Sequence, residues 1–495
     1  MGKVLRTAYA TYPTVKLQGY KTDAKTGAKK FGFVKELLFG DYMRPYITQD
    51  GEYEKLKFGG KEYVKVRCRN VDGYLLESEM QEARPLEVNF VDVGQGDGCH
   101  IVTPDDKHFI VDAGEGDNMY RFLKWRFNLR TAKVSPPPFT IVMSHPDQDH
   151  YQGFGKLFTL TKGTAQQFKI DKVYHNGIVG VPGSGLNALG TIVKKDGVTY
   201  VTDLVENDAD FAACVKKGGN GNFLKLLKKT DAPKESLHLG SDPIYQNEAY
   251  DLKMEILGPV SVTIDGKTAI PAFASNVGKT KNGNSVVIKL TMGHLRMLLG
   301  GDLNTESEYL LLKQFSGIDI EKLKKDLGKA KLSDAERAAK EAEIEAAILK
   351  ARETLEVDIA KSCHHGSADF TSEFLRALNP VATVISSGDE EPHTHPRPDT
   401  LGTIGKHSRG ERSLIFSTEL ARSGKEFVEL DKIKNTDKKK ERAVTVYGMI
   451  NVRTDGNKVI IAQKLESAAV GRNWDVHKLE WNEKTGQFEY LCKFE

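Results

Sequence analysis

Ile141-Val142-Met143-Ser144-His145-Pro146-Asp147-Gln148-Asp149-His150 decides how the rest of the chain is read. Its three leading apolar residues make a short buried strand, and a polar cluster begins where that strand must stop. His145, Asp147, Asp149 and His150 are all metal-ligand types, packed into six consecutive positions. A tight turn after a strand aims such imidazoles and carboxylates into one small volume, and a single divalent ion takes only three or four of them. The cluster therefore suits two ions that share further groups from elsewhere. The competing reading, a solvated loop rich in His and Asp, fails because the same residue types recur at other strand ends.

His108-Phe109-Ile110-Val111-Asp112 ends in a carboxylate, and a strand at Arg296–Leu299 meets Gly300-Gly301-Asp302. Val357-Asp358-Ile359-Ala360 leads into Cys363-His364-His365-Gly366-Ser367. In an open α/β sheet, groups at one end of the strands converge in a common crevice. Two ions need a bridging carboxylate with terminal His and Asp ligands, and this inventory supplies them; a metal-bridging hydroxide would then be the nucleophile. Carboxylates mixed with imidazoles suit zinc, manganese or iron.

The surrounding chain is that of an ordinary soluble protein, 495 residues long, with 39% hydrophobic and 28% charged residues. A net charge of +3 neither favours nor excludes a polyanionic partner. Apolar runs are too short for a membrane span, and the first residues lack an apolar signal region. Cys68, Cys99, Cys214, Cys363 and Cys492 are odd in number and scattered, which fits reduced thiols and a cytoplasmic location. Residues 1–84 read as a separate small β domain, with turns at Asp50-Gly51, Gly59-Gly60 and Asp72-Gly73, similar to a five-stranded bacterial Src-homology-3 barrel. Strand, strand, strand, helix, strand from Leu86 onward reads as an α/β layer protein. Insertions are expected at 180–250, with a short helix near Phe223–Lys229, and at 305–356, where Asp334–Leu355 reads as a solvated helix or one arm of a hairpin. Alternation after the basic run Lys432–Arg442 reads as a C-terminal β extension over 431–495.

Taken together, Phe90-Val91-Asp92-Val93-Gly94-Gln95-Gly96-Asp97, Val111-Asp112-Ala113-Gly114, the 144–150 run, Asn284-Ser285-Val286-Val287, Gly301-Asp302-Leu303, His364-His365-Gly366-Ser367 and His395-Pro396 resemble the metallo-β-lactamase fold. Within it they are similar to the ComEC-type branch, named for the soluble domain of DNA-uptake competence proteins. The resemblance implies a four-layer αββα sandwich over 85–430 with metals at one edge. It further implies that His145 and Asp147 hold the first ion, Asp149 and His150 the second, that Asp302 bridges them, and that His365 completes the second site. His175, at a strand end, is the candidate for the middle His ligand, and Asp147 in place of a His favours manganese. Asp92, Gln95 and Asp97 would line the rim or buttress the site, with Asp112, His364 and Ser367 behind the ligands. Asp149 and His395 are the groups expected to act on substrate, His395 by contacting a phosphate or protonating a leaving group, and Arg397 would hold phosphate.

These features lead to a cytoplasmic phosphodiesterase using two divalent ions (zinc or manganese), with nucleic acid as substrate. A hydrolase of small phosphodiesters, phosphocholine esters or cyclic nucleotides is the second reading. The third is an interaction protein with a structural metal site, docking partners through 1–84 or the 334–355 helix.

Overall fold

A computed structural model describes residues 4–22, 26–129, 135–159, 168–329, 332–388, 394–418, 448–469 and 472–491. The basic run Lys432–Arg442 lies outside the described residues. The chain divides into two compact units. One comprises 1–89, 102–106 and 450–495; the other comprises 90–101 and 107–449.

The larger unit is built on two sheets. In the first, His108–Ala113, Phe139–Val142, Ile170–His175 and Lys234–Ser236 run parallel. Parallel strands are buried on both faces, which explains why Phe109, Ile110, Ile141 and Val142 follow one another without polar alternation. The second has the order Tyr245–Asn247, Leu252–Gly258, Val287–Met292, Leu295–Leu299, Ile359–Lys361, Ala382–Ile385, Leu414–Ser417. Its last four strands are mutually parallel. Helices Asn118–Arg126 and Phe154–Phe158 accompany the first sheet in the chain, while Thr305–Ser316, Asp334–Leu355 and Ser372–Leu378 cover the second through Leu311, Ile344, Ile348 and Phe374. This is the αββα layering. The Val286 amide donates to the Ser144 carbonyl at 2.9 Å and ties the two sheets where the site forms.

The Asp334–Leu355 helix starts at a Ser333/Glu336 capping box, as its Ser-x-x-Glu signature requires. It is solvated only over its first half. Its C-terminal half buries Ile344, Ala347, Ile348, Ala351 and Leu355 against the second sheet and its helices. Alanines carry much of that contact, which is why the stripe looks too thin for packing in the sequence. The 180–250 stretch is more ordered than its Gly-rich texture suggests. The hairpin Thr191–Lys195/Val198–Thr202 pairs with Lys267–Pro271, and the short helix runs Asn222–Leu227.

In the smaller unit an antiparallel sheet runs in the order Lys29–Leu38, Thr14–Thr22, Val71–Leu75, Lys61–Cys68, Tyr42–Pro45, Ala8–Ala10, Met80–Gln81, with Lys55–Phe58 on Lys61–Cys68. It has eight strands, not the five of the expected barrel. The C-terminal extension is not a separate domain, because Ile450–Thr454, Lys458–Ala469, Arg472–Asn482 and Gln487–Leu491 belong to this same unit. Leu38 and Phe39 pack on Ile460 and Ala462, and the buried Arg453 donates to the Phe39 carbonyl at 2.7 Å and to Asp41 at 2.9 Å. Residues 86–89, expected to open the larger domain, fall in this unit as well.

Candidate metal centre

Parallel strands deliver their C-terminal ends to one edge. From the first sheet come Asp112, Ser144 and the 145–150 turn, since Val111 is in register with Val142. From the second come Asp302, three residues past Leu295–Leu299, and His364–His365, three residues past Ile359–Lys361, those two strands being neighbours in parallel.

Asp97, His150, Asp302 and His365 are all buried, and each offers a ligand atom within 4.8 Å of the others. One Asp302 oxygen, Oδ2, lies 3.2 Å from both His150 Nε2 and His365 Nε2. Asp149 Oδ2 is 3.3 Å from His365 Nε2. On the other flank His145 Nε2 is 3.7 Å from Asp147 Oδ2, and the His145 and His150 rings are 4.1 Å apart. His364 Nε2 stands 4.0 Å from Asp302 Oδ2, so both imidazoles of the adjacent pair face the same oxygen of that carboxylate. His364 and His365 each have a positive φ, 47° and 53°, a strained conformation that turns both rings inward.

Behind these groups, Asp112 Oδ2 is 2.9 Å from His150 Nδ1 and accepts from the Ser144 hydroxyl at 2.6 Å. His365 Nδ1 faces the Ser386 carbonyl at 3.0 Å and Asp97 Oδ1 at 3.2 Å. Such partners set which ring nitrogen is free to coordinate. Asp97, expected to line the rim or buttress the site, is buried within the cluster against His365. The residue that sequence reading misses is Lys361, buried at the end of its strand. Its ammonium pairs with Asp97, donates to the Gly301 carbonyl at 3.0 Å and lies 3.9 Å from Asp302 Oδ1. Lys281, which pairs with Asp147, is missed too. Neither carries a motif, because each acts through a carboxylate far away in sequence.

The remaining candidates are spread around this core. His175 ends its strand, but Nδ1 accepts from the Gly177 amide at 3.0 Å and its ring faces Phe223. Among the described residues no ion pair or ring contact joins it to the cluster, and its buried Nε2 has no hydrogen-bond partner. Asp92 accepts from the Gly94 amide at 3.2 Å and shapes the turn. Ser367 accepts from the Asp369 amide, and Arg397 donates to Thr394. Both support loops and do not enter the cluster. Gln95, Asp147, Asp149, Lys281, His364 and His395 line an open polar cleft of about 660 Å³ over the site, with His395 5.7 Å from His364 ring to ring.

The electrostatics are those of a charged nest. Burial opposes the charged form of His150, yet Asp302, Asp112 and Asp149 outweigh it and hold the imidazole well above its usual range. For His365 burial is likewise overcome, by Asp302 and Asp97. Burial opposes the Asp147 carboxylate, but His145 and Lys281 lower it to about 2. His175, buried beside Lys234, falls to about 4 and is neutral. Among the described residues, the buried His145 Nε2 and Asp302 Oδ1 have no hydrogen-bond partner. Buried polar atoms are normally satisfied, so a pair of orphans aimed into a nest of carboxylates and imidazoles fits a bound cation.

No family model matches the chain. It is 22% identical over 339 residues to ComE operon protein 3 of Bacillus subtilis (strain 168), a match covering 65% of this chain and 31% of that protein. The chain thus spans about a third of the length of this curated relative. Among solved structures it is similar to Tm1679, titled a metal-dependent hydrolase of the β-lactamase superfamily, at a TM-score of 0.30 and 11% identity over 67% of this chain and 95% of that one. The partial likeness to ComE operon protein 3 agrees with the order of the motifs and with their delivery to one edge of two layered sheets.

Proposed function

We propose that the chain is a metal-dependent phosphodiesterase acting on nucleic acid. The observation that carries the reading is the sharing of Asp302 Oδ2 between His150 and His365, with His145 and Asp147 opposed on the adjacent flank. Two divalent ions, zinc or manganese, would be held by His145 and Asp147 on one side and by Asp149, His150 and His365 on the other, with Asp302 between. Such ions polarise a phosphoryl oxygen and lower the pKa of an attacking water. The chain's own groups do the rest. Asp112 and Asp97 orient the imidazoles of His150 and His365, Lys361 holds Asp97 and Asp302 in place, and Lys281 meets phosphate charge at the mouth. His395 lines the open cleft and protonates the leaving oxygen. The cleft's polar lining and openness suit a polyanionic chain better than an enclosed apolar ligand.

No helix among the described residues is long and apolar enough to cross a membrane. The test is cleavage of single- and double-stranded DNA and RNA with and without added manganese or zinc, beside His145→Ala and Asp149→Ala. Cleavage that needs the metal and is lost in both variants is expected. Inertness toward every nucleic acid, together with turnover of a chromogenic diester, would reassign the site to a small phosphodiester.

A further inference from the structure

The outer face of the N-terminal sheet carries a row of aromatic rings. Val64 and Val66 enter that unit's core, so Tyr63 and Lys65 beside them lie on the opposite face. Cross-strand register adds to this face: Phe58 opposes Lys61, Tyr74 opposes Lys65 and Tyr20 opposes Phe31. The rings gather around Phe31, whose centroid is 4.5 Å from Phe58, 5.2 Å from Tyr20, 5.5 Å from Tyr63 and 6.0 Å from Tyr74. Tyr20 and Phe58 remain 51% and 45% exposed. A contiguous exposed aromatic patch is unusual on a soluble surface and marks a contact site.

Charge says what kind. Lys29 lies two residues from Phe31 on the same face, and Lys61 stands opposite Phe58; both are exposed and neither has a carboxylate partner among the described residues. The nearby Lys55 and Lys65 are neutralised by Glu62 and Glu54. The two uncompensated lysines therefore flank the rings on the outward face.

We propose that this face binds single-stranded nucleic acid, with bases stacking on Phe31, Phe58 and Tyr20 and phosphates meeting Lys29 and Lys61. Every base has a π-face, so such a platform is tolerant of sequence, while a duplex hides those faces within its own stack. A proline-rich peptide would also lie on aromatic rings, but it offers nothing to match the two lysines. The inference deepens the phosphodiesterase reading and rests on it for its purpose, while the binding itself is independent of the chemistry.

The experiment is fluorescence anisotropy of a labelled oligothymidylate with the full chain in EDTA, where no cleavage competes. A matched duplex and a proline-rich peptide serve as the other ligands. Preference for the single strand is expected, weakened about tenfold by Phe31→Ala. Lys29→Glu/Lys61→Glu keeps every ring, sits on exposed positions and is expected to weaken binding and flatten its salt dependence. Equal affinity in these variants, no preference for the single strand over the duplex, or tighter binding of the peptide would overturn the inference. Chromogenic diester hydrolysis by the same variants separates the two readings. Hydrolysis retained with binding lost supports a separate docking face. Oligonucleotide binding that depends on Phe31, in a chain that hydrolyses no diester, would sink the phosphodiesterase reading and uphold this one.

Discussion

Asp112 Oδ2 lies 2.9 Å from His150 Nδ1, with both residues buried and the Asp112 backbone at φ 56°. The carboxylate also accepts from the Ser144 amide at 2.7 Å, so one side chain clamps the start of the 145–150 turn and the imidazole at its end. Asp112→Asn keeps the shape and tolerates the left-handed backbone, but it removes the charge that fixes His150's tautomer. Metal affinity by calorimetric titration is expected to fall about 10–100-fold with the circular dichroism spectrum unchanged. Unchanged affinity would reduce Asp112 to a turn residue.

In the metal-free protein, His150 and His365 are held well above the ordinary imidazole value of 6.5. A raised folded-state pKa contributes stability that is fully present below about 6.5 and is lost as pH rises through the folded value. Asp147, Asp149 and Asp302 are depressed below 3.8, so their contribution is present above that value and is lost as pH falls through the folded ones. The metal-free chain should therefore be more stable to urea near about pH 5.5 than near about pH 8.5. Metal affinity should run the other way, rising over the same interval because the ligating imidazoles must shed protons. Parallel pH trends for the two quantities would contradict the charged nest.

Gly96 has φ +102°, and a Cβ there would overlap the Asp149 carbonyl. The Gly94-Gln95-Gly96 run is glycine-rich because this loop passes directly over the ligand turn. Gly96→Ala is expected to cost about 1–3 kcal/mol in backbone strain alone. It should also displace Asp149, so a lowered Tm should come with weakened metal binding. A lowered Tm with intact metal binding would place the strain elsewhere.

The parts of the site that can be read from sequence are those written locally. A strand followed by a ligand-rich turn is a contiguous signal, and so are Gly301-Asp302 and His364-His365. The bounds of the Asp334–Leu355 helix are equally plain, because its cap and its helix formers are consecutive. Where partners are distant the signal vanishes. Lys361 looks like a strand residue until Asp97, far earlier in the chain, is folded against it. The union of the two termini in one unit depends on pairings such as Glu36 with the Asn473 and Trp474 amides, which no local pattern encodes. His175 ends a strand as the ligands do, but its Nδ1 accepts from its own turn amide and only the buried Nε2 is without a hydrogen-bond partner.

Lys361 gives the sharpest test of that distant chemistry. Burial disfavours its ammonium, and Asp97 and Asp302 reverse this and raise its pKa above the ordinary lysine value. Lys361→Met fits the strand but strands the buried Asp97 carboxylate, and losing one partner of such a pair costs about 3–5 kcal/mol. Adding Asp97→Asn removes the stranded charge, so the double variant should recover much of that stability. Metal affinity is expected not to recover, because the amide introduced by Asp97→Asn no longer sets a carboxylate against His365 Nδ1. Chemical denaturation and metal titration on the two single variants and the double variant complete the cycle. If the two substitutions simply add, the pair is not coupled and Lys361 plays no part in holding the centre.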